Sequence, residues 1–323
     1  MTIAIIGGAG FIGSALRRSL ERDNTIASYF DIKIDGHDNI IHYLDVEDTK
    51  TFGKLKDAKT IVNLAAAHTD NVQPVSKYHD VNVTGAENIC NVARKNNVSK
   101  IIFTSSVAIY GFAIPNTGED GAPNFFNEYG KSKYLAEQVY INWYNEDPNT
   151  RSLFIIRPTV VFGEGNKGNV DRLIRQILQK KFIMFGSGHN IKSLAYIENI
   201  AEFLKFSLTM PRGLHIYNYV DKPDLTMNEL ISFIRSVGTD NNSILFRLPL
   251  WLGLFAARII DLLSILLRTQ FSVSYVRMLK FSQTTQFDSS IKSTKFVQPF
   301  TLRSGLQRTI NHILKENQDE RQN

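Results

Sequence analysis

Two side chains that could act together in proton transfer, Tyr129 and Lys133, lie four residues apart. The residues that follow, as far as Val139, favour a helix, and a spacing of four places both side chains on one helical face. A lysine ammonium beside a phenol favours the phenolate, so we expect Lys133 to lower the pKa of Tyr129 from its usual value of about 10. Such a phenol can take up and return a proton near neutral pH. The pattern is common by chance, and its interpretation therefore depends on the rest of the chain.

A glycine-rich turn follows the first predicted strand, residues 3–6. Gly7, Gly10 and Gly13 have the GxxGxxG spacing, and a helical pattern from Ser14 follows them. Gly7 permits a tight turn, Gly10 lets the backbone approach a pyrophosphate, and Gly13 lets the helix pack closely on the strand. The helix N-terminus then faces the phosphates. Between a first strand and a first helix, this spacing predicts a dinucleotide site.

Polar and small residues follow several of the predicted strands. Asp31 ends the second strand, where a carboxylate binds the adenosine ribose and favours NAD over NADP. Asp45 could lie near the adenine, and the small residues from Ala65 onward would let a cofactor lie across the strand ends. Ser106 follows another strand, at the carboxyl edge where ligands bind in open α/β sheets. A hydroxyl there could bind the same substrate oxygen as Tyr129.

Composition excludes several classes of protein. The chain has 323 residues, 43% of them hydrophobic, which is enough for a large core. A single cysteine, Cys90, excludes a disulfide framework, and no histidine spacing predicts a metal site. The net charge of +6 is mild, without a basic run typical of nucleic-acid binding. Because the chain opens directly into a strand without a leader, we expect it on the cytoplasmic side of the membrane.

Repeated strand and helix units predict an α/β fold with a doubly wound parallel (Rossmann) sheet. We assign residues 1–163 to a dinucleotide-binding domain, with returning segments near 193–220. A smaller interleaved α/β lobe for substrate is expected over 164–315, followed by a polar tail, 316–323, that frays.

The most apolar stretch is a predicted helix over residues 248–268. Its uncharged runs are too short to span a bilayer. Arg258, Asp261, Ser264 and Arg268 form one narrow polar stripe, and apolar side chains cover the remaining circumference. This apolar face is wider than that of an ordinary surface helix. Three interpretations stay open: packing within the lobe, a homodimer interface, or a helix lying in the membrane surface.

Together these motifs resemble one enzyme family. They are the glycine turn, Asp31, Thr104-Ser105-Ser106-x-x-x-Tyr110-Gly111, Tyr129-x-x-x-Lys133 and Arg157-Pro158. The set is similar to that of the extended short-chain dehydrogenases/reductases, the NAD-dependent epimerases and dehydratases, and it spans nearly the whole chain. Segments 166–170, 217–225 and 283–288 look like those of epimerases that act on N-acetylglucosaminyl-diphospho-undecaprenol.

The resemblance implies an isomerase that inverts carbon 4 of a lipid-linked sugar, through a transient 4-keto sugar, at the start of O-antigen assembly. Tyr129 would remove the hydroxyl proton, Ser106 would orient the oxygen, and Lys133 would hold the nicotinamide ribose of NAD. The expected NAD contacts are Gly7, Gly10, Phe11, Ile12, Gly13, Asp31, Asp45, Ala65, Tyr129 and Lys133. The expected substrate contacts are Ser106, with Asn169 and Lys192 facing the diphosphate.

Two differences from the sequence pattern of the wider family reduce the range of possible reactions and substrates. Val107 and Ala108 follow Ser106 where sugar dehydratases carry an Asp-Glu pair, so the acid for eliminating water is missing. Lys192 and Val160 stand where many uridine-nucleotide epimerases have arginine and asparagine, and lysine lacks the bidentate grip of arginine on a diphosphate. Three alternatives remain: an epimerase of UDP-N-acetylglucosamine, an oxidoreductase with net redox, and a non-catalytic NAD-binding subunit.

Overall fold

The computed structural model of the protein describes residues 2–34, 40–69, 72–238, 246–267 and 275–322. The chain forms two compact units. The first consists of Met1–Val161, Ala195–Val220 and Phe287–Phe300, and the second of Phe162–Leu194, Asp221–Gln286 and Thr301–Asn323. The sequence analysis assigned residues 287–300 to the substrate lobe. In the structure they belong to the first unit.

The first unit contains a seven-stranded parallel sheet within the described residues, with strand order β11-β6-β5-β4-β1-β2-β3. Its strands, numbered in chain order, are β1 Ile3–Ile6, β2 Ala27–Asp31, β3 Ile41–Tyr43, β4 Thr60–Asn63, β5 Lys100–Thr104, β6 Ser152–Pro158 and β11 Leu214–Tyr219. Strands β1, β5 and β6 are buried along their whole length and are mostly apolar, as parallel strands covered on both faces are. The predicted doubly wound α/β sheet is confirmed.

Helices cover both faces of this sheet. They are α1 Phe11–Arg22, α2 Lys77–His79, α3 Gly85–Lys95, α4 Glu128–Asn145 and α6 Ile197–Thr209, with a π-helical turn at Asp80–Thr84. Helices α1 and α6 pack together over one face, and α3 and α4 pack together over the other. Because side chains alternate along a strand, Phe103 of β5 and Ile155 of β6 face the α4 side. That face carries the site described below.

The second unit is built from short strand pairs and helices. Its elements are α5 Asn169–Leu178, β8 Ile183–Phe185, β9 Ile191–Lys192, β12 Leu225–Thr226, α7 Met227–Gly238, β13 Phe246–Leu248, α8 Leu250–Leu267, α9 Tyr275–Ser282 and α10 Leu302–Gln322. Strand β8 pairs with β13, and β9 pairs with β12. Two further strands, β7 Val160–Phe162 and β10 Leu194–Tyr196, lie where the chain passes from one unit to the other.

Two predicted segments differ from the structure. The expected frayed tail is wrong, because residues 316–322 continue α10, which packs against α7 and α5. The expected apolar helix exists as α8, but Arg268 of its predicted polar stripe lies outside the described residues. Among the helices that the structure describes, none combines the length and hydropathy needed to cross a bilayer.

Candidate active site

The first turn of α4 brings Tyr129 to Ser106. Asn127 caps the helix, its side chain accepting a hydrogen bond from the Gly130 N–H at 2.9 Å. Gly130 allows a close approach to the turn after β5, since a Cβ there would lie 2.4 Å from the Ala108 carbonyl oxygen. Across this contact the Ser106 hydroxyl faces the Tyr129 phenol closely enough to lower its pKa. The two hydroxyls predicted to share a substrate oxygen therefore lie together.

Lys133 lies one turn after Tyr129 in a desolvated position. The lysine is 2% exposed, and its ammonium lies 4.3 Å from the centre of the Phe103 ring. Burial lowers the pKa of Lys133 to about 7, against the opposing effect of the Glu137 carboxylate. The charge of Lys133 at neutral pH therefore depends on its neighbours.

Burial also raises the pKa of the Tyr129 phenol, and the neighbouring Ser106 hydroxyl only partly offsets this effect. The predicted direction, a pKa of Tyr129 lowered by Lys133, is therefore wrong for the protein chain alone. The physical reason is that burial penalises the charged form of both groups at once. Further positive charge near the phenol is needed to favour the phenolate.

A polar brace holds the back of this helix turn. The Asn82 amide donates to the Ser132 hydroxyl at 2.9 Å and to the Ala67 carbonyl at 3.1 Å, while its oxygen accepts from the Ala67 N–H at 2.9 Å. Ser132 in turn donates to the Tyr129 carbonyl at 2.9 Å. Asn82 is therefore an internal brace that connects α4 to the segment after β4.

The aromatic neighbour of Tyr129 was not found from sequence. The Tyr78 ring lies 6.4 Å from the Tyr129 ring, and the Tyr78 hydroxyl donates to the Thr69 carbonyl. Ser132 was missed as well. Helical spacing could have identified Ser132, three residues after Tyr129, whereas nothing local connects Tyr78 with α4.

The glycine turn has the tight geometry that a phosphate-binding turn requires. Gly7 adopts φ = 84°, in the left-handed region. A Cβ on Gly13 would lie 2.1 Å from the Gly7 carbonyl oxygen, and a Cβ on Gly7 would lie 2.7 Å from the Ala65 nitrogen. Helix α1 begins directly after Gly10. Backbone N–H groups at this helix start are therefore available to anionic phosphates.

The two predicted acids lie after strands of the same sheet. Asp31 accepts hydrogen bonds from the backbone N–H groups of Ala9 and Lys33, both at 3.0 Å, which places its carboxylate beside the glycine turn. Asp45 follows β3 and accepts from the Glu47 N–H at 2.9 Å. Each carboxylate retains acceptor sites for a ligand hydroxyl.

Buried hydroxyls test whether the site fits NAD. At the carboxyl ends of neighbouring strands β5 and β6, the hydroxyls of Thr104, Ser105 and Thr159 are buried and have no hydrogen-bond partner within the described chain. Buried polar groups are normally paired, so a bound ligand is a natural partner for them. This edge also carries Ser106. The residues therefore fit a dinucleotide whose reactive end lies beside Ser106.

The predicted diphosphate ligands belong to the second unit. Lys192 donates to the carbonyl oxygens of Lys280 at 2.7 Å and Gln283 at 2.6 Å, at the C-terminal end of α9. Burial lowers the pKa of Lys192 to about 8. Asn169 is exposed and is the first residue of α5. The structure thus gives Lys192 a capping role that the sequence did not predict.

The fold and the site define an NAD-binding epimerase or dehydratase. Residues 3–219 match the NAD dependent epimerase/dehydratase family, and the chain belongs to this family. It is 43% identical, over 96% of its length and 94% of the relative's, to N-acetyl-alpha-D-glucosaminyl-diphospho-ditrans,octacis-undecaprenol 4-epimerase of Escherichia coli O157:H7. It is 27% identical to UDP-glucose 4-epimerase of Vibrio cholerae, over 77% of this chain and 79% of that protein.

A solved structure shares the whole fold. UDP-glucuronic acid 4-epimerase from Bacillus cereus in complex with NAD superposes with a TM-score of 0.76 at 19% identity, covering 98% of this chain and 99% of that one. At this identity the likeness shows the fold alone. Membership of the NAD dependent epimerase/dehydratase family confirms the predicted cofactor, NAD.

Proposed function

We propose that the protein is an NAD-dependent 4-epimerase that interconverts N-acetylglucosaminyl-diphospho-undecaprenol and its N-acetylgalactosaminyl form. One observation carries the proposal: the 43% identity to the Escherichia coli enzyme extends over 96% of the chain, so it includes both units and not the nucleotide-binding part alone. The neighbouring hydroxyls of Ser106 and Tyr129, with Lys133 one turn away, support it chemically.

In this proposal Tyr129 is the base for the sugar 4-hydroxyl. Ser106 binds the same oxygen and holds it against the phenol, and Lys133 holds the nicotinamide ribose while its charge favours the phenolate. NAD, when bound, would accept hydride from carbon 4 and return it, and its positive charge would favour the phenolate. After the 4-keto sugar turns over in the pocket, Tyr129 returns the proton. The cofactor contacts are the ten residues predicted above, from Gly7 to Lys133.

The diphosphate of the substrate is assigned to Lys192 and Asn169. An ammonium has three N–H donors, and two of those on Lys192 bond to the end of α9. The third can bind a phosphate oxygen, and that negative charge would favour the protonated amine. Asn169 lies at a helix N-terminus, where anions are stabilised.

A donor comparison tests the proposal. The purified protein is incubated separately with radiolabelled N-acetylglucosaminyl-diphospho-undecaprenol in detergent and with UDP-N-acetylglucosamine, while NADH absorbance is monitored. We expect the lipid-linked sugar alone to be epimerised, with no net NADH. Faster conversion of the nucleotide sugar would indicate a uridine-nucleotide epimerase. Formation of NADH in amounts equal to the sugar consumed would indicate an oxidoreductase. If neither donor is converted, the protein would be a non-catalytic NAD-binding subunit.

Helix α8 supports peripheral contact with the membrane that holds such a substrate. Trp251, Phe255 and Leu262 are 66%, 62% and 68% exposed, and their spacing places them on one helical face with Ile259. Arg258 is exposed on the same side. A wide apolar face beside a cation suits an anionic lipid surface better than water. We therefore assign this face to the cytoplasmic surface of the bilayer, near the polyprenyl chain.

Removing the apolar face of α8 should abolish membrane binding. Replacing Trp251, Phe255 and Leu262 together with serine is expected to reduce co-sedimentation with phosphatidylglycerol vesicles at least tenfold, because most of the apolar area that can insert is lost. The matched control replaces three scattered exposed residues, Ile26, Ile114 and Val297, and should sediment as the wild type does. The contrary result is an α8 variant that sediments with vesicles as the wild type does but is monomeric where the wild type is a homodimer. That result would show that this face is a subunit interface.

A further inference from the structure

A buried ion pair lies one helical turn beyond Lys133, and the reaction scheme above leaves it without a role. Arg157 Nε donates to Glu137 Oε1 at 2.9 Å, and Nη2 donates to Oε2 at 2.7 Å. Glu137 is fully buried and Arg157 is 6% exposed. A pair taken out of water in this way is often no more stabilising than apolar residues of similar volume. Stability alone is therefore a weak explanation for its presence.

The arginine is fixed from both ends. On the far side from Glu137, Arg157 Nη1 donates to the Tyr110 hydroxyl at 2.6 Å and to the Glu119 carbonyl at 3.0 Å. The Tyr110 hydroxyl donates in turn to Asn218 Oδ1 at 2.9 Å. Because strand β6 and its neighbours hold the guanidinium, the Glu137 carboxylate has one fixed position on α4. Lys133 and Glu137 are four residues apart and share a helical face.

We propose that Glu137, held by Arg157, is a positioning residue for catalysis: its fixed negative charge keeps the buried Lys133 ammonium charged, so that Lys133 can support the Tyr129 phenolate. The proposal rests on the roles proposed above for Lys133 and Tyr129. Of the neighbouring charges, Glu137 is the one that opposes the effect of burial on the pKa of Lys133.

The surroundings of Lys133 show few competing charges among the described residues. Strand β5 contributes an uncharged ring, and α2 contributes a phenol next to that of Tyr129. The titratable or charged groups on this side of the sheet include Tyr129, Glu137 and Tyr140 from α4, Arg157 from β6, Tyr110 from the turn after β5, Tyr78 from α2 and Cys90 from α3. The arginine charge is paired with Glu137. Burial raises the pKa of the Tyr110, Tyr129 and Tyr140 phenols and of the Cys90 thiol, which favours their uncharged forms.

The isosteric change Glu137→Gln removes the charge and keeps an acceptor for Arg157. Removing this negative charge lowers the pKa of Lys133, one helical turn away, more than that of Tyr129, two turns away, so the limb of the kcat–pH profile set by Lys133 should move to lower pH by about one unit. The plateau should fall about tenfold, because less of the enzyme combines a charged Lys133 with an ionised Tyr129. Glu137→Asp restores a carboxylate and should bring this limb back toward its wild-type position.

A purely structural pair would behave differently. In that case Glu137→Gln lowers the melting temperature and the rate but leaves the pH limbs in place, and this result would overturn the proposal. Tyr110→Phe is the matched control, because it removes a hydrogen bond to Arg157 without changing any charge near Lys133. We expect it to lower the melting temperature without moving the limbs.

A titration that needs no substrate separates this proposal from the proposed function. The protein is labelled with ¹³Cε-lysine, and the Lys133 signal is assigned by its loss in Lys133→Met. The titration midpoint of that signal should be lower by about one pH unit in Glu137→Gln. An unmoved midpoint contradicts the role of Glu137 for any substrate. A moved midpoint in a protein that epimerises neither donor upholds that role and rejects the epimerase.

Discussion

Replacing Tyr129 with phenylalanine is expected to reduce epimerisation about a thousandfold, with little change in melting temperature. General acid–base catalysis contributes about a hundredfold to ten-thousandfold, and a thousandfold loss corresponds to about 4 kcal/mol of transition-state stabilisation. Phenylalanine keeps the ring that packs near Tyr78 and loses the hydroxyl that faces Ser106. The measurement is a single-turnover assay with labelled lipid-linked sugar, together with a thermal melt.

The control for this variant is Tyr144→Phe, on the last turns of the same helix. It removes a phenol from α4 at a distance from Ser106, so turnover should stay within about twofold of the wild type. If Tyr129→Phe also kept near-normal turnover, another group would have to take the proton from the sugar hydroxyl. The assignment of the base, and with it the proposed chemistry, would then be wrong.

The parts of the fold that depend on local sequence could be predicted. The strand at Ile3–Ile6, the glycine turn and the helix after it follow from residue types within a short stretch. The Gly7 carbonyl oxygen lies so close to residue 13 that only glycine fits there, as the steric argument requires. Tyr129 and Lys133 were found for the same reason, since one helix determines their relative positions.

Features that depend on distant contacts could not be predicted. The polar end of α10 is helical because Arg175 of α5 donates to the Glu316 carboxylate at 2.5 Å, and because α10 packs on α7. Segment 287–300 belongs to the first unit, where the Ser290 N–H donates to Glu119 Oε1 at 2.8 Å. Helical stability in proteins comes mostly from such tertiary packing, which spacing along the chain does not reveal.

Electrostatics at the site was the least predictable property. Sequence gives the neighbours of Tyr129 along α4 but not its degree of burial, and burial dominates the pKa of both Tyr129 and Lys133. The ion pair between Arg157 and Glu137 could not be predicted from sequence either, because Arg157 lies on a strand and is twenty residues from Glu137 in the chain. A short charge motif therefore indicates which groups interact but not the direction of the pKa shift.

Adding one methyl group at Gly13 is expected to abolish tight NAD binding. In Gly13→Ala the new Cβ would lie 2.1 Å from the Gly7 carbonyl oxygen and 2.8 Å from the Gly8 Cα. Both are backbone atoms that no side-chain rotation can move, so the turn must shift away from α1. Because the backbone N–H groups at this helix start are the proposed phosphate donors, we expect NAD affinity to fall at least a hundredfold.

The matched control for that change is Gly53→Ala, in the turn at Thr49–Leu55, where a Cβ meets no atom within 4 Å. Alanine restricts the unfolded chain there, so stability should be unchanged or slightly higher and NAD affinity unaffected. Calorimetric titration of NAD into protein stripped of bound nucleotide measures both variants, and circular dichroism verifies that Gly13→Ala is folded. A folded Gly13→Ala protein with wild-type NAD affinity would show that the phosphates lie elsewhere, because a turn displaced by a Cβ cannot keep the same donors in place.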